Sequence, residues 1–351
     1  MKEFQNRNGF DVKVCVTGQH RKMLDQVLEF FDIVPDFDLD IMLANQTLFD
    51  VTANALKKLE PVFDHCKPDC VFVQGDTTTS FVGALAAYYK KVSVAHIEAG
   101  LRSHQKYSPF PEEMNRKLAG HLTDYHFAPT QQAVDQLKLE NIKDDVYNVG
   151  NTVIDALFLG LDQLKKQGRK LNYAFLNENS KMVLITGHRR ESFGLPFENI
   201  CHAIQTLSKK YPSVQFVYPV HLNPNVREPV NRLLSNLPNV HLLEPLDYPQ
   251  FIALMEKSTI VLTDSGGLQE EAPALGKPVL VMREVTERME GVEAGTAKLV
   301  GTEKEVIIAE MSKLLDDQNA YDQMAKAVNP YGDGKSCARI ADVISKIYFN
   351  Q

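Results

Sequence analysis

Asp76, Glu98 and Glu112 are the carboxylates whose setting most suggests chemistry. Asp76 stands in Gln74-Gly75-Asp76-Thr77-Thr78-Thr79 and Glu98 in His96-Ile97-Glu98-Ala99-Gly100-Leu101-Arg102. Glu112 stands in Pro109-Phe110-Pro111-Glu112-Glu113-Met114-Asn115-Arg116. Carboxylates gathered in one place can pass protons as general acids and bases. Each also reads as a helix cap or a salt-bridge partner. Their joint placement at or just beyond predicted strand ends, opposite a candidate phosphate cradle, makes catalysis the better reading.

That cradle is Asp264-Ser265-Gly266-Gly267-Leu268-Gln269-Glu270-Glu271. Two glycines allow close backbone approach, and the carboxylates at 270 and 271 can accept hydrogen bonds from ribose hydroxyls. The same run also reads as a tight strand–helix turn with acidic residues at the helix start. In Thr186-Gly187-His188-Arg189-Arg190-Glu191, a histidine beside two arginines suits a diphosphate and a mobile proton. A solvated charge run is the plainer reading. Pro219-Val220-His221-Leu222-Asn223 again places a histidine after a strand, or simply caps a helix.

The elements that must position these residues alternate regularly. Short apolar runs fall at Val12–Thr17, Cys70–Gln74, Val92–Ile97, Tyr125–Ala128 and Val146–Val149. A second series falls at Met182–Thr186, Gln215–Val220, Val240–Leu243, Ile260–Thr263, Pro278–Met282 and Ala297–Val300. Helical stretches lie between most of them, among them Thr47–Phe63, Thr78–Lys90, Phe197–Lys210 and Pro249–Lys257. Near-continuous apolar strands separated by helices mean parallel sheets covered on both faces, here in two doubly wound, Rossmann-like α/β domains. The join is expected near the helix Thr152–Gln167 and the Gly168 turn, with a last helix over Gly334–Tyr348. This divides the chain into 1–167 plus 335–351 and 168–334. Ligands of such sheets bind where strands end, so a cleft between the domains is the expected site.

Composition narrows the function classes. The chain has 351 residues, enough for about two domains. Its 38 basic and 45 acidic side chains give a net charge of −7, which argues against general nucleic-acid binding. The longest apolar stretch, Phe81–Tyr89, is about half of the roughly 20 residues a membrane helix needs. The opening MKEFQNRNGF carries no apolar signal-peptide core. Five scattered cysteines fit reduced thiols in the cytoplasm better than a disulfide framework. His65, Cys66 and Cys70 lack a fourth ligand at zinc spacing, so no metal is expected. There is no G-x-G-x-x-G, so no nicotinamide cofactor is expected either.

QGDTTT, HIEAGLR, PEEMNR, TGHRRES, DSGGLQEEAP, LGKPVLVMR and EGVEAGT occur in this order. In these motifs the chain resembles the non-hydrolysing UDP-N-acetylglucosamine 2-epimerases from about Val12 to Asp342. The resemblance implies the two-domain glycosyltransferase-B fold. It implies interconversion of UDP-N-acetylglucosamine and UDP-N-acetylmannosamine without metal or nicotinamide, serving bacterial surface polysaccharide synthesis, in a cytoplasmic homodimer. The C2 hydrogen of that sugar is not next to a carbonyl. Elimination of UDP from C1, with removal of the C2 proton, gives 2-acetamidoglucal, and re-addition with a proton on the other face inverts C2. By resemblance Asp76, Glu98, Glu112 and His188 take the catalytic positions. Arg189, Ser265, Gly266 and Gly267 take the diphosphate positions and Glu271 the ribose position. Phe251 and the Leu246 backbone take the uracil pocket, with Arg288 near the nucleotide. A second, activating UDP-N-acetylglucosamine site found in some members maps to Gln19, Gln46, Glu112, Arg189 and His221.

The chain also departs from the family pattern. Asn45 stands where that second site has an arginine, and Met289 where the family usually has proline. The family opens with a central strand and a G-T-R-P-E loop, whereas Val12–Thr17 resembles its second strand. A shortened or misassigned start, and a break in the first domain's sheet, are therefore expected. Two alternatives are a nucleotide-sugar binding protein without catalysis and a retaining glycosyltransferase of the same fold. A hydrolysing epimerase is a smaller third.

Overall fold

The computed structural model describes residues 1–18, 21–42, 46–168, 173, 175 and 180–349. The chain divides into two compact units, Met1–Ala156 with Tyr331–Gln351, and Leu157–Pro330. Each is an α/β unit in which every strand pairing is parallel.

The first unit holds β1 (Cys15–Val16), β2 (Phe37–Asp38), β3 (Cys70–Gln74), β4 (Ser93–Ile97), β5 (Tyr125–Ala128) and β6 (Val146–Asn148). β3 to β6 make one sheet in chain order, while β1 and β2 pair only with each other among the described residues. Side chains alternate between the faces, as strand geometry requires. Val71, Val73 and Val94 join an apolar cluster with the helices Leu48–Cys66 and Thr78–Tyr89. Cys70, Ala95 and Phe127 join another with Phe4 and with Ile340, Ala341 and Ile344 of the helix Ser336–Phe349. The C-terminal helix thus completes this unit.

The second unit holds β7 (Met182–Thr186), β8 (Gln215–Pro219), β9 (Val240–Leu243), β10 (Ile260–Thr263), β11 (Val279–Val281) and β12 (Ala297–Leu299). They form one sheet in the order β12-β11-β10-β7-β8-β9. Val183, Ile185, Ile260 and Leu262 pack into a core with the helices Leu195–Lys210, Pro224–Leu234 and Lys304–Asp316. The helices Tyr248–Lys257 and Leu268–Ala274 pack at β7, β10 and β11. Strand order runs outward in both directions from the β7–β10 pair, so the topological switch point lies between those two strands.

Two expectations need correction. The strand Val12–Thr17 is only Cys15–Val16. Val14 spends its N–H on the Asp36 carboxylate side chain, which diverts it from the ladder on the side toward Val12. The unit boundary lies inside the helix Thr152–Lys166 rather than after it. Asp155 in its first turn accepts the backbone N–H groups of Ser336 and Cys337, whereas Lys165 in its last turn pairs with Glu256. The two ends of one helix therefore belong to different units. No described helix is long and apolar enough to cross a membrane.

Gly100 shows how tightly the β4 exit is packed. Its φ is +93°, and a Cβ there would stand 2.3 Å from the Ala133 carbonyl oxygen. Gly100→Ala combines left-handed strain with a backbone clash, so it should lower unfolding stability by about 2–5 kcal/mol. An unchanged urea midpoint would show that this turn accepts a side chain.

Candidate active site

In the first unit the register pairs Gln74, the last residue of β3, with Ile97, the last of β4. The residues that follow, Gly75-Asp76 and Glu98-Ala99, therefore leave the sheet side by side. The Gly75 N–H donates to the Ile97 carbonyl at 3.0 Å, and Ala99 N–H to Phe127 at 3.1 Å. Gly75 has φ +69°, and a Cβ on it would approach Glu98 Oε2 to 3.2 Å. Glu98 itself has φ 66°, a left-handed setting that costs a non-glycine residue roughly 1–3 kcal/mol and is typical of functional positions.

Asp76 is held from the helix Glu112–Leu122. Arg116 donates Nε and Nη2 to Asp76 Oδ2 at 2.9 and 2.7 Å, and Asn115 Nδ2 donates to the Asp76 carbonyl at 2.9 Å. Glu113, fully buried, accepts from the Ser103 amide, the His104 amide and Arg116 Nη1, which ties the 103–104 loop to the same helix. Glu112 opens that helix, and its Oε2 is buried without a hydrogen-bond partner. Asp76 and Glu98 thus share the exit of β3 and β4, and Glu112 opens the helix whose Asn115 and Arg116 hold Asp76. His96, buried beneath them, is pushed down to about 4 by desolvation, so its neutral ring donates Nε2–H to the Gly75 carbonyl at 2.8 Å.

In the second unit β7 and β10 end in register at Thr186 and Thr263, whose hydroxyls meet at 2.6 Å. Asp264 follows, 2% exposed, and its Oδ2 accepts the N–H groups of His188 at 2.6 Å and Arg189 at 2.8 Å. Beside these residues lies a cavity of about 310 Å³. Its wall includes His188, His221, Leu246, Phe251, Ser265 and Glu271. The His188 and His221 rings stack at 5.3 Å and 16°. Leu246, Phe251 and Pro245 make an apolar slot suited to a planar base, Glu271 is an acceptor for paired hydroxyls, and Ser265 and His188 are polar groups suited to an anion. Desolvation, then the charge of Glu270, raises the Glu271 carboxyl to about 7.

Arg189, Gly266, Gly267 and Arg288 lie outside the cavity wall. Arg189 Nε is buried without a partner and remains available as a donor. Gly266 leaves room for Glu287 and Arg288, and Arg288 Nε donates to Glu270 Oε1 at 2.8 Å. Gln46 lies in the first unit and its amide donates to the Ile41 carbonyl. Gln19 and Asn45 fall outside the described residues. Among the described residues no acidic, histidine or cysteine cluster could hold a metal. Sequence reasoning passed over Arg116, His96 and Asp264 as separate site residues. A guanidinium one helical turn from Glu112 was the available signal for the first. The other two pointed to nothing without strand register.

Known proteins resemble the chain along nearly its full length. The family model for "UDP-N-acetylglucosamine 2-epimerase" matches residues 2–345. An Escherichia coli K12 protein of that name is 53% identical over 341 residues, 95% of this chain and 91% of the relative. A Neisseria meningitidis UDP-GlcNAc 2-epimerase, solved bound to UDP-GlcNAc, superimposes with TM-score 0.88 at 51% identity, covering 98% of this chain and 94% of that one. The Methanocaldococcus jannaschii enzyme, solved with UDP-GlcNAc and UDP, gives TM-score 0.76 at 33% identity over 98% of this chain and 94% of that one.

Glu271 supplies a test independent of any ligand. Its carboxyl, ordinarily near 4.5, holds its proton to about 7 in the fold. Between those values the folded chain keeps a proton that the unfolded chain has lost, so stability falls as pH rises, and the cost is full above pH 7. Glu271→Gln should therefore stabilise the protein at pH 8 by about 1–3 kcal/mol, and much less at pH 4.5. Urea denaturation that shows the same difference at both pH values would contradict the raised carboxyl.

Proposed function

The chain belongs to the UDP-N-acetylglucosamine 2-epimerase family, and from that premise we propose that it inverts C2 of UDP-N-acetylglucosamine, giving UDP-N-acetylmannosamine, by elimination and re-addition of UDP. It is an isomerase with the glycosyltransferase-B type of fold. The observation that carries the mechanism is Asp76 beside Glu98 at the β3–β4 exit, with Glu98 strained, and Glu112 Oε2 unpartnered on the helix that holds Asp76. A transferase that only moves a sugar to an acceptor has no need of three such groups.

Uracil fits the slot of Leu246, Pro245 and Phe251, and the ribose hydroxyls donate to Glu271. The diphosphate takes Ser265, the glycine turn at 266 and 267 and the free Nε of Arg189. In the forward step one carboxylate takes the C2 proton as the C1–oxygen bond breaks, and the bond electrons leave with UDP. In the return step a second carboxyl group delivers a proton to the opposite face of C2 as a UDP oxygen rebuilds the bond to C1. Asp76 and Glu98 carry the proton transfers, Glu112 supports them, and His188 meets the charge that develops on the leaving diphosphate. Five free cysteines support a reducing, cytoplasmic setting. The proposal also includes a homodimer and supply of bacterial surface polysaccharide synthesis.

The same reading extends to activation at a second UDP-N-acetylglucosamine site. His221 stands beside His188, but the Gln46 amide is committed to Ile41.

Two experiments test the proposal. In D₂O both epimers should gain deuterium at C2, because the incoming proton comes from a protein acid that exchanges with solvent. Glu98→Gln or Asp76→Asn should lower kcat by about 10²–10⁴-fold while UDP affinity stays within a few fold. Epimer formation with C2 fully protonated would exclude elimination, and UDP binding without any turnover would favour a binding protein. Separately, UDP affinity should weaken as pH falls below about 7, where Glu271 takes up its proton and loses acceptor capacity. Flat calorimetric affinity between pH 5.5 and pH 8.5 would remove Glu271 from ribose binding.

A further inference from the structure

We infer that Asp264 is a positioning residue that sets the tautomer of His188 and makes Nε2 the working nitrogen of that ring. The functional part of the inference rests on the reaction proposed above.

Asp264 is 2% exposed, and only one of its oxygens is satisfied. Oδ2 holds the backbone of the following loop from the neighbouring strand, taking the amides of His188 and Arg189. Oδ1 is buried without a hydrogen-bond partner, which is costly for a carboxylate unless a partner arrives. His188 Nδ1 lies 3.6 Å from that oxygen. This is beyond a hydrogen bond, but catalytic contacts in unliganded sites are often loose and tighten on binding. The His188 side chain is 42% exposed, so its ring has room to turn toward Oδ1.

A neutral imidazole carries one N–H, and the group that faces each nitrogen selects which one. A carboxylate oxygen accepts and cannot donate, so it selects Nδ1–H. The lone pair then sits on Nε2; when that nitrogen takes a proton from solvent water, Asp264 stabilises the imidazolium, whose Nε2–H can donate to the departing diphosphate oxygen. The stacked neighbour is fixed the other way. His221 Nδ1 accepts the Asn223 amide at 3.1 Å and so carries no proton in the neutral ring. The two adjacent histidines are therefore held in opposite tautomers, one by a carboxylate and one by a backbone N–H.

The test uses full-length protein labelled with ¹⁵N-histidine, with His188→Gln serving only to assign the His188 signal. Wild-type His188 should be the Nδ1–H tautomer at pH 8. In Asp264→Asn the side-chain oxygen can still take both backbone amides, but its NH₂ now faces Nδ1, so the ring should switch to Nε2–H. That variant should lose about 10²-fold or more in kcat, while KM and the Kd for UDP change by less than about threefold. Asp264→Ala, which also drops the loop, should lower the melting temperature and weaken UDP as well. An Nε2–H tautomer in wild type would overturn the inference, with or without a folded variant. A kcat for Asp264→Asn within threefold of wild type would overturn the positioning role. Absence of turnover in wild type would instead refute the reaction, and the tautomer measurement would still decide the assignment.

Discussion

In-register parallel pairing of β7 with β10 is the constraint on which the second unit's site depends. It brings Thr186 and Thr263 to the same level, so the chain leaves the sheet twice at one place. Asp264 then reaches sideways from one exit to grip the backbone of the other at His188 and Arg189. One ladder and one buried carboxylate thereby position a histidine, an arginine and the Ser265 turn. Nothing local in either loop would hold them together, since they are more than 70 residues apart in the chain.

The first unit repeats this arrangement with a different cargo. Register between β3 and β4 places Gly75-Asp76 beside Glu98, and the unit accepts left-handed strain at Glu98 to keep its carboxylate there. The strain is confined by ordinary means: a β5 carbonyl holds Ala99, a neutral buried His96 holds Gly75, and Arg116 holds Asp76. Glu113 is the silent member of the Glu112-Glu113 pair. It is buried and fully used as an acceptor, whereas Glu112 keeps an oxygen without a partner. Adjacent identical residues on one helix thus differ: one is fully used as an acceptor and the other is not.

Burial governs the electrostatics of both sites. Desolvation is the main cause that keeps His96 neutral, which makes it a dependable donor to a loop carbonyl. The same physics, with Glu270 adding like charge, leaves Glu271 poorly solvated and in need of donors. A carboxylate in that condition gains more from two hydroxyl donors than one already surrounded by water. The fold gives up stability at Glu271 at neutral pH.

Several strands and helices were legible from periodicity, because an apolar run of four or five residues between turn signals leaves few alternatives. Cys70–Gln74, Tyr125–Ala128, Met182–Thr186, Val240–Leu243 and Ile260–Thr263 have the same bounds in the structure. The two-residue strand Phe37–Asp38 was not legible, since two residues show no alternation, and the helix spanning both units hid the boundary because its pattern is unbroken. For the candidate site, the sequence by itself determined the residue types, the motifs and their order, and hence the family. It could not determine that Arg116 grips Asp76, that Glu113 is scaffold while Glu112 is not, or that Asp264 faces His188. Those pairings join residues distant in the chain through strand register and helix docking. Only the tertiary structure decided them, because it alone sets which side chains share a low-dielectric space and which polar atoms remain without a partner.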